Sequence, residues 1–388
     1  MNSSTSGLFS NSLVRFLGSL QLTVILLVLA MILVFVGTLA QVHESIMTVQ
    51  ERYFHSFFVL AELGPIRFPF TGGYTLGTLL LINFVAAYAV NLGISWKRSG
   101  LILIHAGIVL LLLGELFTSL YAVEMTMSLT EGQTTSFAAD VRHRELVFVD
   151  TSPADHNRIS SFPESALFTG AVLTHPDLPF TMQVDAFYAN SKILGPQQVS
   201  PSFRNPATQG VGRQLSAIPQ PSNTRADGVD IPSAYITLRQ SSGQTIGTWL
   251  VSMFLDDSQS VTIAGKTYLL SLRPKRYYQS FSMKLLDFQH IKYTGTDMAK
   301  SFASHVQVLD NQNRVVHDAV ISMNNPLRYG GLTFYQASFD AETEKTSILQ
   351  VVKNPSASIP YISCAVVSLG LAIHFLLHLI QWTTRPRR

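Results

Sequence analysis

Residues 101–123 read LILIHAGIVLLLLGELFTSLYAV, an apolar run interrupted only by His105 and Glu115. A bilayer core about 30 Å thick takes about 20 apolar residues at 1.5 Å each, and this run meets that template. Three others do as well: residues 16–42, 74–94 and 359–382. The first carries no charge, is too long for a secretory leader and has no small-residue cleavage site behind it, so it is expected to remain as a span. The last has Pro360 in its opening turn, where a helix tolerates proline.

The rest of the composition agrees with a membrane protein. Charged residues make up 13% of the 388 and hydrophobic ones 47%, whereas soluble proteins carry about 25% charged residues. The mean hydropathy of +0.25 averages two populations, apolar ends and a polar, turn-rich middle. A net charge of +3 without any basic run sets nucleic-acid binding aside. The single cysteine, Cys364, lies in an apolar run. The chain therefore has no disulfide, CxxC pair, iron–sulfur site or thiolate zinc site of its own, and thiol chemistry belongs to a partner.

Basic residues near the span ends orient the chain. Arg15 precedes the first span, Lys97 and Arg98 join the second to the third, and Arg385, Arg387 and Arg388 follow the fourth. All three clusters fall on one face, which the positive-inside rule makes cytoplasmic. The expected fold is α+β: four transmembrane helices with a large β-rich extracytoplasmic domain between the third and fourth. Residues 1–15, 95–100 and 383–388 are then cytoplasmic, and residues 43–73 and 124–358 extracytoplasmic. Short alternating runs, among them Glu145–Val149, Phe180–Phe187, Ala234–Leu238, Ser260–Leu272, His305–Leu309 and Thr333–Phe339, carry the β reading. Residues 191–232, rich in Pro, Gln, Ser, Asn and Gly, are expected to form a long exposed loop.

Ionisable groups inside a span are costly and point to function. His105 lies seven positions beyond Arg98, roughly 10 Å into the membrane. His378 lies seven positions before Arg385 on a span running the opposite way, giving it a similar depth of about 10 Å, with His374 one turn deeper. Two imidazoles at one depth could clamp a haem iron, whereas a zinc site would want a third ligand. Each histidine could equally hydrogen-bond a neighbouring helix, and His378 could mark the headgroup boundary beside Trp382. Glu115 lies about 15 Å further out than His105 and cannot share its ligand shell. It could relay a proton or meet a partner cation; the preferred reading is a protonated acid hydrogen-bonded in the bundle. The eight other histidines show no metal-ligand spacing. Residues 325–336, NPLRYGGLTFYQ, read as a turn entering an aromatic-rich strand.

Five segments in order, FLGSLQLTVILLVLAMILVFVGTLAQ, the third span leading into MSLTEGQT, FSMKLLDFQHIKYTGTDMAKSFASHVQVLD, NNPLRYGGLTFYQASF and the closing HLIQW, give a chain that resembles the ResB family of cytochrome c biogenesis proteins, of the System II route. The resemblance implies a bacterial inner-membrane protein with a periplasmic domain. It also implies a ResC/CcsA-type partner bearing a Trp-rich haem-handling motif, which this chain lacks, its tryptophans being the dispersed Trp96, Trp249 and Trp382. Together the two would move haem b outward and attach it to the CxxCH thiols of an apocytochrome c kept reduced by a thioredoxin-like protein. In the family an intramembrane histidine of this subunit ligates haem, and His105 matches it. The second ligand would then come from the partner, in competition with His378. Asn324 and Asn325 stand before Pro326 where many relatives are expected to have a histidine or lysine in the second position. Two rival readings are a bis-histidine b-haem electron carrier using His105 with His378 or His374, and a membrane-anchored scaffold without haem.

Overall fold

The computed structural model describes residues 12–384 apart from 43, 45, 64–65, 92–95, 201, 222, 224–229, 264, 294, 296–298 and 341. Arg385, Arg387, Arg388 and His43 lie outside the described residues, as does the side chain of Lys97. The chain divides into a helical unit, residues up to 122 and from 354, and a β unit between them.

The helical unit has four long helices: α1 (Leu20–Ala40), α2 (Gly73–Asn91), α3 (Ser99–Tyr121) and α4 (Ile359–Thr383). The helices α1, α3 and α4 are long and apolar enough to cross a bilayer, which makes this a membrane protein. In α2 the apolar stretch with described side chains, Gly73–Tyr88, is shorter. Where the sequence predicts one uninterrupted span from Phe16, a short helix, Ser12–Leu17, stops before α1 begins. Ser19 caps α1, its Oγ accepting from the Leu22 N–H at 3.2 Å. The break is held by Asn83 of α2, which is buried and donates to the carbonyls of Leu17 (2.6 Å) and Ser19 (3.2 Å) while accepting from Thr23 Oγ1 (2.7 Å).

A seam of small residues joins α3 to α4. Gly100, Gly107 and Gly114 recur every seven residues on α3, and Ser363 and Gly370 do so on α4; all five are buried. A Cβ built on Gly100 would lie 2.5 Å from the His374 nitrogen, one on Gly107 3.0 Å from the Ser363 carbonyl, and one on Gly370 2.7 Å from the Ile104 nitrogen. The backbones approach too closely for any larger residue, the usual way membrane helices gain contact without a hydrophobic driving force. Between α1 and α2 lies a small hairpin, β1 (Phe58–Leu63) with β2 (Ile66–Thr71).

The β unit carries β3 (Val123–Thr130), β4 (Thr134–Asp150), β5 (Arg158–Pro163), β6 (Val172–Leu173), β7 (Phe180–Tyr188), β8 (Ser191–Leu194), β9 (Ser216–Pro219), β10 (Ser233–Gln240) and β11 (Thr245–Ser252). It continues with β12 (Gln259–Ile263), β13 (Lys266–Lys292), β14 (Ala299–Leu309), β15 (Val315–Ser322), β16 (Leu327–Tyr329), β17 (Leu332–Phe339) and β18 (Thr346–Lys353). Ten of these strands form one sheet along the path β15-β14-β13-β4-β3-β18-β17-β16, with β12 beside β13 and β5 beside β4. Its first and last strands in sequence, β3 and β18, are neighbours, Val123 opposite Lys353, so the chain enters and leaves side by side. One core gathers around Met125, Met283, Phe334 and Val351, and a second around Phe148, Phe180, Ile236 and Tyr268, where the four-stranded sheet β11-β10-β7-β6 packs.

Two stretches differ from the sequence expectation. Residues 191–232 contain a paired ladder, β8 with β9, pinned by the Tyr235 hydroxyl, which accepts from the Ala217 N–H at 2.9 Å. Four-residue strands are too short for periodicity to register. Ser260–Leu272, which reads as one run, is the end of one strand and the start of another, β12 and β13, turning at Gly265 with φ +79°.

Candidate functional site

The seam fixes which way α3 faces. At 3.6 residues per turn His105 is about 200° around the helix from Gly107, so its ring leaves α3 on the side away from α4. There it meets α2: the ring centroids of Phe84 and Tyr88 lie 5.3 Å and 6.0 Å from that of the half-buried imidazole. Phe84 and Tyr88 are one helical turn apart and stack on each other at 6.1 Å. His105 Nδ1 is 2.7 Å from the Leu101 carbonyl oxygen. A carbonyl only accepts, so Nδ1 carries the hydrogen, and the lone pair available to a metal in the deprotonated ring is that of Nε2. Such a ring is a nitrogen donor whose tautomer and tilt are set by its own helix, as in metal-ligating histidines whose other ring nitrogen is held by a carbonyl. Beside it the Tyr88 hydroxyl is buried and has no hydrogen-bond partner among the described residues.

His374 and His378 form a separate pair on α4, their ring centroids 4.5 Å apart at 68°. His374 is half-buried and His378 exposed. No ring contact or hydrogen bond joins either to His105 among the described residues. The equal depth expected for His105 and His378 is not what the seam gives. Gly100 abuts the His374 backbone, so these two share a level. His105 is five residues from Gly100 in one direction and His378 four residues from His374 in the other, which separates them by about 13 Å along the axes. The flanking arginines mislead as depth markers because α4 continues to Thr383 while α3 begins only at Ser99.

Glu115 is exposed on α3 and makes no hydrogen bond or ion pair with any described residue, contrary to the expectation of an acid satisfied within the bundle. The helix turns it about 100° from the Gly114 contact with Ile359 of α4. The β-unit histidines mostly sit beside carboxylates: His143 with Asp140, His156 with Asp155, His175 with Asp177 and His305 with Asp318. His290 differs. It is buried against Phe339, with ring centroids 4.4 Å apart, and stands 3.5 Å from Glu344 without alignment for a hydrogen bond. Among the described residues no three His, Cys, Asp or Glu side chains gather as a metal site.

Sequence reasoning missed Phe84, Tyr88 and Asn83. Asn83 alone carried a signal, being an amide in the middle of an apolar run.

A model of the ResB-like family matches residues 245–348, from β11 into β18. Over 118 residues the chain is 34% identical to Protein NrfI of Wolinella succinogenes, which covers 30% of this chain and 12% of NrfI. Over 75 residues it is 36% identical to the cytochrome c biogenesis protein CcsB of a Picosynechococcus species, covering 18% of this chain and 16% of CcsB. Over part of its length the chain is thus similar to ResB-like cytochrome c biogenesis proteins. In each alignment the chain spans less than a fifth of the relative's length. The family match lies in the β unit, so His105, His374, His378 and Glu115 all fall outside the matched residues.

Proposed function

We propose that this chain acts in cytochrome c biogenesis, as the membrane subunit of a synthase complex that handles haem and takes part in its attachment to CxxCH apocytochromes c. The observation that carries the reading is the state of His105. Its Nδ1–H is committed to the Leu101 carbonyl and its Nε2 has no hydrogen-bond partner among the described residues, beside an aromatic wall of Phe84 and Tyr88. Those residues fit a haem: a neutral nitrogen donor for the iron, flat apolar rings for the macrocycle, and an unpartnered phenol for a polar edge. Haem, when bound, supplies the iron that takes the Nε2 lone pair; this chain's part is to hold that lone pair in place and keep water from it. A second ligand would come from a ResC/CcsA-type partner, since the register keeps His378 about 13 Å away along the helix axes. The same register gives the bis-histidine electron-carrier reading no support.

The basic residues at the span ends, with α2 as a fourth span, put the termini in the cytoplasm and the β unit outside the inner membrane, where it would present the apocytochrome. The apocytochrome thiols would be reduced by a separate thioredoxin-like protein, as Cys364 is the chain's one cysteine.

The test is an ultraviolet–visible spectrum of the chain purified alone and with its ResC-type partner, for wild type and His105→Gly. Haem present only with the partner, lost in the variant and restored by added imidazole, is the expected result. Full haem occupancy in His105→Gly removes the ligand assignment; haem held by the chain alone favours the electron carrier, and none in either preparation favours a scaffold.

A further inference from the structure

Glu115 is the one charged residue of α3 between Gly100 and Tyr121, and the mechanism proposed above does not use it. Six residues separate it from the end of the helix at Tyr121, about 9 Å of rise, so it lies within the apolar part of the span and beyond the reach of surface cations. Its side chain is exposed, and no described residue gives it a hydrogen bond or an ion pair. One turn further on, Thr118 hydrogen-bonds Asn354, which precedes α4, at 3.2 Å, and Ser119 meets the Tyr74 hydroxyl of α2 at 3.1 Å. Glu115 points between those two directions, about 60° from one and 40° from the other. Its face of α3 therefore opens between α2 and α4. Below it on the same stripe lie Ile108, Leu111 and Leu112, exposed by 39%, 43% and 39%, at the spacing one helix uses to pack on another.

An acid in this position is expensive toward lipid and calls for a partner inside the bilayer. No second copy of the chain can supply a cation there. The helices α1 to α4 contain no Lys or Arg, and a parallel copy brings only histidines, of which the nearest in depth, His105, is about 15 Å away. We infer that the Ile108–Leu111–Leu112–Glu115 face docks a transmembrane helix of a partner protein that places a Lys or Arg against the Glu115 carboxylate. Tight membrane packing supplies the contact and the ion pair sets the register of the two helices, as a single buried polar pair does in coiled coils.

The inference rests on the reading of this chain as a subunit beside a ResC-type partner, and its test separates the two. Dicyclohexylcarbodiimide, which modifies carboxyl groups in apolar surroundings, is applied to the wild-type chain alone and to the co-purified complex, and modification at Glu115 is read by peptide mass. Labelling of the chain alone with at least fivefold protection in the complex is expected. Glu115→Lys should lower co-purified partner at least fivefold while membrane insertion and helicity stay unchanged, and Glu115→Gln, which keeps a hydrogen-bonding group, should lower it less. Equal labelling with and without the partner, no labelling of the chain alone, or undiminished capture by Glu115→Lys overturns the docking face even where the complex carries haem. If the wild-type chain captures no ResC-type partner, the subunit reading falls and this inference with it.

Discussion

Replacing Gly370 by alanine tests the architecture that aims His105. The added Cβ would stand 2.7 Å from the Ile104 nitrogen, 2.9 Å from the Gly100 carbonyl and 3.0 Å from Ile104 Cγ1. Two of these three atoms are backbone, so no side-chain rotation relieves the contact. Bringing 2.7 Å out to the 3.4 Å at which ordinary contact begins requires the two helices to part by about 0.7 Å. A radial gap of about 0.5–1 Å forfeits a quarter to a half of the dispersion well for the atoms along the seam. Overpacking of this kind costs about 1–3 kcal/mol. Gly77 supplies the control, because a Cβ there meets nothing within 4 Å. Gly77→Ala should be neutral or gain about 0.5–1 kcal/mol from helix propensity. The assay is unfolding of the full chain in mixed micelles by titration with dodecyl sulfate, followed by circular dichroism. Equal midpoints for Gly370→Ala and Gly77→Ala would refute the close approach of α3 and α4.

Three further outcomes follow from the same structure. Asn83→Ala removes three interhelical hydrogen bonds, worth about 0.6 kcal/mol each in membrane proteins, and should cost about 1–2 kcal/mol in the same titration. Asp140 should make the β unit sensitive to acid. Burial pushes its carboxyl pKa up, but hydrogen bonds from the Arg142 and His143 amides and the His143 ring outweigh this and hold it below the usual value. Stability from such a group is present above the unfolded value of about 3.9 and is lost as pH falls through the folded one. In urea unfolding followed by the buried Trp249, Asp140→Asn should therefore lower stability at neutral pH and lose less than wild type on going to pH 3. Gly330 and Gly331 turn β16 into β17 with φ of +59° and +77°. An alanine at either costs about 1–2 kcal/mol in backbone strain, and Gly330→Ala adds a contact of 2.7 Å to Phe281, so urea midpoints should fall further for it than for Gly331→Ala.

How much of this was legible depended on whether a signal is local. The Gly330–Gly331 turn could be read directly, because two consecutive glycines before an aromatic run suit a hairpin that needs positive φ at both central residues. The apolar helices were legible for the same reason, each satisfying its length condition alone. Alternation described β7. It did not describe β10, where Ala234, Tyr235, Ile236, Thr237 and Leu238 are all buried, nor the Glu145–Phe148 part of β4, which is buried throughout. Sheet order was beyond reach, since β3 pairs with β18 across more than two hundred residues. Asn83 lay in plain view, but its role depends on a break in α1 that hydropathy smooths over. His105 was legible as an anomaly, whereas Phe84 and Tyr88 were two more apolar residues until α2 was laid against it.

The relation between the histidines shows why the remainder required structure. Depth inferred from flanking arginines measures each helix against the membrane, and so treats α3 and α4 as independent. The seam measures them against each other. Glycines seven residues apart fall about 20° short of two full turns, so Gly100, Gly107 and Gly114 drift about 40° around α3 over the seam. Helix α4 must follow that drift, which it does with Ser363 and Gly370 at the same spacing, and no slide along the axis preserves all the contacts. The seam thus sets the level of His374 at Gly100 and leaves His105 on the opposite face, turned to α2. A helix pair locked in this way has no freedom to bring His105 and His378 together, so under the proposed haem role of His105 a second ligand is to be sought in another protein.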